Sequence, residues 1–219
     1  MRGWLKLLIG VAVLLGLLAG ADRLAVGVAE DEAADRLVSS GHLSARPEVS
    51  IEGFPFLTQA VSGEFDGVRL SGAGMTVTGA GQKVALQSFR AHLAGVKVDG
   101  DYRGASVRSG SGEGLVGYAD AARLVPGGQG VQLEYGGPGR MKATFPLGVS
   151  ATGEVRRAKN AVTLENLQFS GAAAKLGKLP ATLSLSLSEL PAGMELSGVS
   201  PEPSGLRLEF KGENVRLIG

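Results

Sequence analysis

The side chains that usually carry chemistry are scarce in this chain. Cysteine is absent, which removes thiolate nucleophiles, cysteine metal sites and a disulfide framework. The two histidines, His42 and His92, lie far apart in sequence and form no His-x-x-x-His pair, so zinc spacing and the usual nucleophile–base pairings are missing. No Gly-x-Ser-x-Gly elbow and no Walker loop occurs. Carboxylates cluster at Glu30, Asp31, Glu32 and Asp35, but on a helix they point in different directions, which favours a solvated acidic face over an acid–base site. A carboxylate-only glycosidase needs no sequence signature and is the catalytic class left open. Net charge is +1, so there is no electrostatic case for nucleic acid as a partner. The expectation is a protein that is not an enzyme and uses neither metal nor cofactor.

One apparent motif is a decoy. Gly112-Glu113-Gly114-Leu115-Val116-Gly117 matches Gly-x-Gly-x-x-Gly, and Glu134 follows at the distance of a ribose-binding acid. The preceding segment carries Asp101, Arg103, Ser106 and Arg108, however, whereas a central parallel strand is a nearly continuous apolar run. With 35 glycines in the chain, such a match arises cheaply. Arg156, Arg157 and Lys159 form a basic turn, read as an exposed hairpin tip with anionic headgroups as the alternative partner.

What remains is apolar. In Pro47–Ala60, Val49 and Ile51 alternate with Glu48, Ser50 and Glu52 as in a strand with one buried face. Gly53 and Pro55 break that strand, leaving Phe54, Phe56 and Leu57 on an irregular segment at its end. Such a group is either a plug closing the end of a β core or the mouth of an apolar groove.

The elements that must hold this segment are legible in outline. Arg2 and Lys6 precede an uncharged run, Leu7 to Ala21, of 15 residues. That is short of the roughly 20 residues of a membrane span. Ala19-Gly20-Ala21 suits signal-peptidase cleavage. The helical pattern nevertheless continues through Asp22-Arg23-Leu24-Ala25 without a proline, and an uncleaved anchor is favoured. Either way the basic N-terminus stays cytoplasmic and the rest lies outside, at the cell membrane or in a periplasm-like space. The expected division is residues 1–21 as anchor or signal peptide and 22–219 as one domain.

Asp22 to Val38 reads as a helix with a face of mostly small apolar residues, ended by Ser39-Ser40-Gly41. From Glu48 onward the period is two. Val68 and Leu70, then Met75 and Val77, read as short strands joined by Gly72-Ala73-Gly74. Between Gln82 and Val98 the apolar parity changes twice, which calls for β-bulges near Gln87-Ser88 and Ala94-Gly95 and hence a curved sheet. A strand from Tyr102 to Arg108, a short helix over Leu115–Val125 stopped by Pro126, and alternating strands through Leu133, Met141, Phe145, Val155, Leu164, Leu185 and Leu187 follow. Leu206, Leu208 and Phe210 make a further strand before a turn at Gly212-Glu213-Asn214. The fold class is α+β and mostly antiparallel: a long, curved, bulged sheet, half-barrel or tube, wrapped round an N-terminal helix, with one short helix and an N-terminal membrane segment. A single curved sheet or an open barrel is the economical arrangement.

The run Pro47-x-Val49-x-Ile51-x-Gly53-Phe54-Pro55-Phe56-Leu57-Thr58-Gln59, preceded by the membrane segment, Asp22-Arg23 and a helix, resembles the LmeA-like phospholipid-binding family of cell-envelope proteins. Gly63, Phe65, Val68 and Leu70 fit that family's next strand loosely, and beyond about residue 100 the likeness is one of texture. The resemblance implies an exported domain of the tubular lipid-binding type that holds or shuttles phospholipid acyl chains in cell-envelope lipid or lipoglycan maintenance. Phe54, Phe56 and Leu57 are then expected at the mouth of the groove, with Phe89, Leu93, Met141 and Phe145 as lining, all by apolar contact. The competing reading is a structural or adaptor domain with a filled core.

Overall fold

The structure, a computed structural model, describes residues 2–39, 43–79, 82–100, 104–125, 130–159, 161–170, 182–186 and 193–218. Helix α1 (Arg2–Ser39) is unbroken and, at 1.5 Å per residue, about 57 Å long. It is followed by β1 (Glu48–Glu52), α2 (Phe56–Ser62), β2 (Glu64–Gly79), β3 (Gln82–Val98), β4 (Gly104–Val116) and α3 (Tyr118–Arg123). Then come β5 (Gln132–Tyr135), β6 (Arg140–Phe145), β7 (Val149–Ala158), β8 (Ala161–Ser170), β9 (Leu183–Ser186), β10 (Met194–Glu202) and β11 (Gly205–Ile218). The fold is α+β and antiparallel throughout its ladders, with a curled half-barrel sheet, a long N-terminal helix and short helices.

The strands form two sheets rather than one. The larger runs β1-β2-β3-β4-β11-β10 and the smaller β5-β6-β7-β8-β9. The smaller sheet and α3 pack on one end of the larger, where Met141, Leu164 and Leu185 meet Leu196 and Leu206 in a common core. Arg157 joins the two by donating to the Leu196 carbonyl at 3.0 Å. Tyr118 on α3 donates its hydroxyl to the Glu202 carbonyl at 2.7 Å, and burial, with the nearby Tyr135 and Glu202, pushes its phenol up to about 12.

A change of side-chain parity crosses the larger sheet along one transverse line. Phe65, Val96, Val107 and Val215 pair in one row across β2, β3, β4 and β11; Val68, Leu93, Gly110 and Gly212 pair in another. Phe65, Val68, Leu93, Val96, Val107 and Val215 share one apolar cluster, so these residues lie on the same face although two residues separate the rows in every strand. Strict alternation would set them on opposite faces. Gly95 at φ +63° and Asn214 at φ +51° take up the extra residue in β3 and β11. All four strands change parity together, and the registers across the line stay unshifted. The expected bulge at Ala94-Gly95 is therefore a crease crossing the sheet. The bulge at Gln87 is a true register shift between β3 and β4.

Several local expectations need correcting, and at two of them a residue in left-handed geometry lets a strand continue where the sequence suggested a turn. Gly74, at φ +64°, lies inside β2, and Asn214 lies inside β11. β4 runs through Gly112–Val116, so the Gly-x-Gly-x-x-Gly match is mostly strand and forms no phosphate loop; the helix begins at Tyr118, not Leu115. The segment after Gly53 is irregular only to Pro55, and Phe56 opens a helix. The acidic face of α1 is solvated at Asp31, Glu32 and Asp35, as expected, and it is also engaged: Asp31 and Asp35 pair with Arg46, and Glu30 accepts the backbone N–H of Ile51 at 2.7 Å. That last contact covers the exposed edge strand β1. Arg156 and Arg157 lie in β7 rather than in the expected basic turn, and Arg156 is paired with Glu154 at 2.9 Å. The expectations for His42, Tyr102, Pro126 and Leu187 fall outside the described residues.

Candidate functional site

The heptapeptide Gly53–Gln59 is a joint between α1, β1 and β2, and each residue has a physical reason to be there. Gly53 adopts φ +103° beneath the side chains of Gln59 and Asp66, where a Cβ would collide with both. Phe54 and Pro55 are linked by a cis peptide. Phe54 lies outside with the Arg23 guanidinium 5.3 Å from its ring centroid. Thr58 donates its hydroxyl to the Pro55 carbonyl at 2.8 Å, tightening the first turn of α2. Gln59 turns inward, and its Oε1 accepts the Asp66 N–H at 2.8 Å.

Asp22 closes the joint. It is 2 % exposed, accepts the Leu57 N–H at 2.8 Å and is paired with Arg23 at 2.6 Å. A carboxylate buried this deeply is tolerated because its oxygens are hydrogen-bonded and its charge is paired. The start of α2 is thereby fixed to α1 one residue beyond the uncharged run.

Between these elements lies an apolar cavity of about 380 Å³. Its sheet wall is Val49 and Ile51 of β1, Phe65 and Val68 of β2, and Val96 and Val98 of β3. α2 contributes Phe56 and Ala60; α1 contributes Ala29 and Ala33. Phe56 stacks at a tilt on Phe65, with centroids 6.3 Å apart. The small residues on the two helices leave the space open. The Glu32–Arg36 ion pair, 2.8 Å apart and exposed, is the polar part of the lining. The volume falls in the range of small-molecule sites, and a nearly all-apolar wall suits a hydrocarbon ligand.

The apolar face of the sheet continues beyond the cavity. Leu70, Ala91, Gly112 and Phe210 pair in one row, and Gly72, Phe89, Gly114 and Leu208 in the next. Gly110, Gly112 and Gly114 thus put no side chain on this face of β4, which leaves a shallow floor between Leu70 and Phe210.

The residues singled out from sequence are distributed as follows. Phe56 lines the cavity, while Phe54 and Leu57 are exposed beside it. Leu93 sits across from the lining residue Val68, and Phe89 lies two rows further on, against Gly72. Met141 is fully buried and Phe145 packs on the same core under the second sheet. These two are away from the cavity because their strands belong to the sheet that the sequence did not separate. Sequence reasoning missed Asp22 as the joint and Ala29, Ala33 and Ala60 as the residues that make room. The small-residue face of the helix after Asp22 was the available signal.

A family described as LmeA-like phospholipid-binding matches residues 20–211. The chain belongs to this family. The family match begins at Gly20 and so takes in Asp22-Arg23, the heptapeptide and every residue of the cavity wall, and it ends within β11. Family membership makes phospholipid binding the function to explain, and the family is a non-catalytic one. Leu8–Ser39 of α1 is long and apolar enough, by length and composition, to cross a membrane. No curated protein and no solved structure matches the chain.

Proposed function

We propose that this protein is held in the cell membrane by α1 and binds a phospholipid outside the cytoplasm, with an acyl chain in the cavity between α1, α2 and β1–β3. The observation that carries this reading is the apolar cavity itself, walled by the family's matched segment. Each methylene removed from water contributes about 0.8 kcal/mol, so ten of them supply about 8 kcal/mol before the cost of association. Phe56 is the central contact. Phe54 and Leu57 stand at the mouth, and Leu93 and Phe89 extend the apolar track along the sheet for the rest of the tail. Arg36 offers a donor and Glu32 an acceptor where a headgroup leaves the cavity. The first 21 residues belong to the anchor, and residues 22–219 form one lipid-binding domain, which holds or shuttles lipid in maintenance of the envelope.

The test is mass spectrometry of the organic extract of the purified full-length protein, washed in detergent until free lipid is gone. Phospholipid at close to one per chain is expected. An extract without phospholipid, from protein that is folded, overturns the proposal.

A further inference from the structure

The uncharged run Leu7–Ala21 covers only about 22 Å at 1.5 Å per residue, less than the roughly 30 Å of a bilayer core. Asp22 and Arg23 follow at once, but as an ion pair: Asp22 is buried, and the half-exposed Arg23 is neutralised by it. Asp22 points into the protein, bonded to the Leu57 N–H, and Arg23 is paired with it and lies over the Phe54 ring. The outward face of α1 stays apolar beyond them: Leu17, Ala21, Leu24 and Val28 follow at steps of four, three and four and form one stripe. Leu24 is 76 % and Val28 71 % exposed. Asp31 and Asp35 continue the same stripe as charges. From Leu7 to Val28 the apolar length is about 33 Å, which matches the bilayer.

α2 is fastened to this extension. Its Leu57 N–H is held by Asp22, six residues before Val28, so α2 starts at the depth of the extra length, about two turns. Phe56 and Ala60 face the cavity, while Leu57 and Val61, the next residues round the helix, face out, Val61 at 91 % exposure. With Phe54, they make an apolar collar beside the stripe.

Resting on the reading of α1 as an anchor, we propose that the bilayer boundary lies at Val28 rather than Ala21, so that Leu57 and Val61 of α2 are seated in the outer leaflet of that same membrane. The cavity, whose α1 wall begins at Ala29, then opens at the level of the headgroups. An acyl chain passes from leaflet to cavity along Val61 and Ala60 without crossing water.

The chain has no cysteine, so single-cysteine variants of the full-length protein report depth directly. Leu14→Cys, Val28→Cys, Val61→Cys and Asp35→Cys, labelled with bimane, are reconstituted in 3:1 phosphatidylcholine–phosphatidylglycerol vesicles. Brominated-chain lipid is expected to quench positions 14, 28 and 61 at least twofold, with little quenching by aqueous iodide. Position 35 is expected to show the reverse. Quenching at 14, with 28 and 61 behaving like 35, overturns the boundary while leaving the anchor. Loss of bromolipid quenching at 14 as well overturns the anchor and the boundary with it.

Discussion

Filling the cavity should move lipid binding and stability in different directions, and Ala33→Phe is the substitution that shows it. Ala33 is on α1, half-buried, and forms part of the cavity wall opposite the sheet. A phenyl ring there takes the room of about four chain methylenes; at about 0.8 kcal/mol each the lipid loses about 3 kcal/mol. That corresponds to roughly a 150-fold weaker complex, since 1.4 kcal/mol is tenfold. The protein itself gives up at most about 0.7 kcal/mol of helix propensity and gains contacts for the ring. Its unfolding midpoint in denaturant is therefore expected to stay level or rise. The assay pairs displacement of a fluorescent phospholipid with urea unfolding of the same delipidated samples. If the space were a tightly packed core, the ring would overpack it and cost about 1–3 kcal/mol of stability. A destabilised Ala33→Phe protein with unchanged lipid affinity would refute the reasoning.

Other outcomes follow from the same geometry. Phe56→Ala should lower both properties, because the ring is 6 % exposed and packs on Phe65; a stability loss of about 3–5 kcal/mol in urea unfolding is expected. Asp22→Ala leaves the Leu57 N–H without its acceptor and should cost about 1–3 kcal/mol, with faster hydrogen exchange at the start of α2 than elsewhere. Gly95→Val should destabilise the sheet, since φ is +63° and the Arg108 side chain occupies the place of a Cβ; unfolding midpoints check this, and an unchanged midpoint would discount the crease as a constraint. Tyr118 has a phenol pushed up to about 12 by burial, above the value near 10 of an unfolded tyrosine. Its contribution is intact below pH 10 and is lost as pH rises toward 12. Stability measured across that window should fall, and fall less in Tyr118→Phe.

Much of the fold was legible because alternation is a direct trace of a one-sided sheet: Val49 and Ile51, Leu206 and Leu208 lie on the faces their spacing required. The parity changes in β3 announced a bent sheet, but a crease shared by four strands is a property of their register, which one strand cannot show. Glycine misled in the other direction. At Gly74 and at Gly110–Gly114 it suggested turns, whereas it serves a left-handed residue inside a strand and an empty floor on the apolar face. The division into two sheets was hidden because Met141 and Leu206 alternate alike whichever sheet holds them, and so Met141 and Phe145 were expected on the wrong surface. Phe56, which lines the cavity, stood out in the sequence because a Gly-Phe-Pro-Phe run has little reason in strand patterning. Asp22 was hidden because its partner, the Leu57 N–H, is a backbone group 35 residues away.

The most direct measurement is photolabelling of the full-length protein in membranes with a phospholipid bearing a diazirine at the middle of its acyl chain, followed by peptide mapping. An acyl chain in the cavity predicts adducts on α1 around Ala29–Ala33, on α2 around Phe56–Ala60 and on β2 or β3 near Val68 and Val96. Adducts confined to the uncharged stretch before Asp22, with none on α2 or the strands, would contradict it.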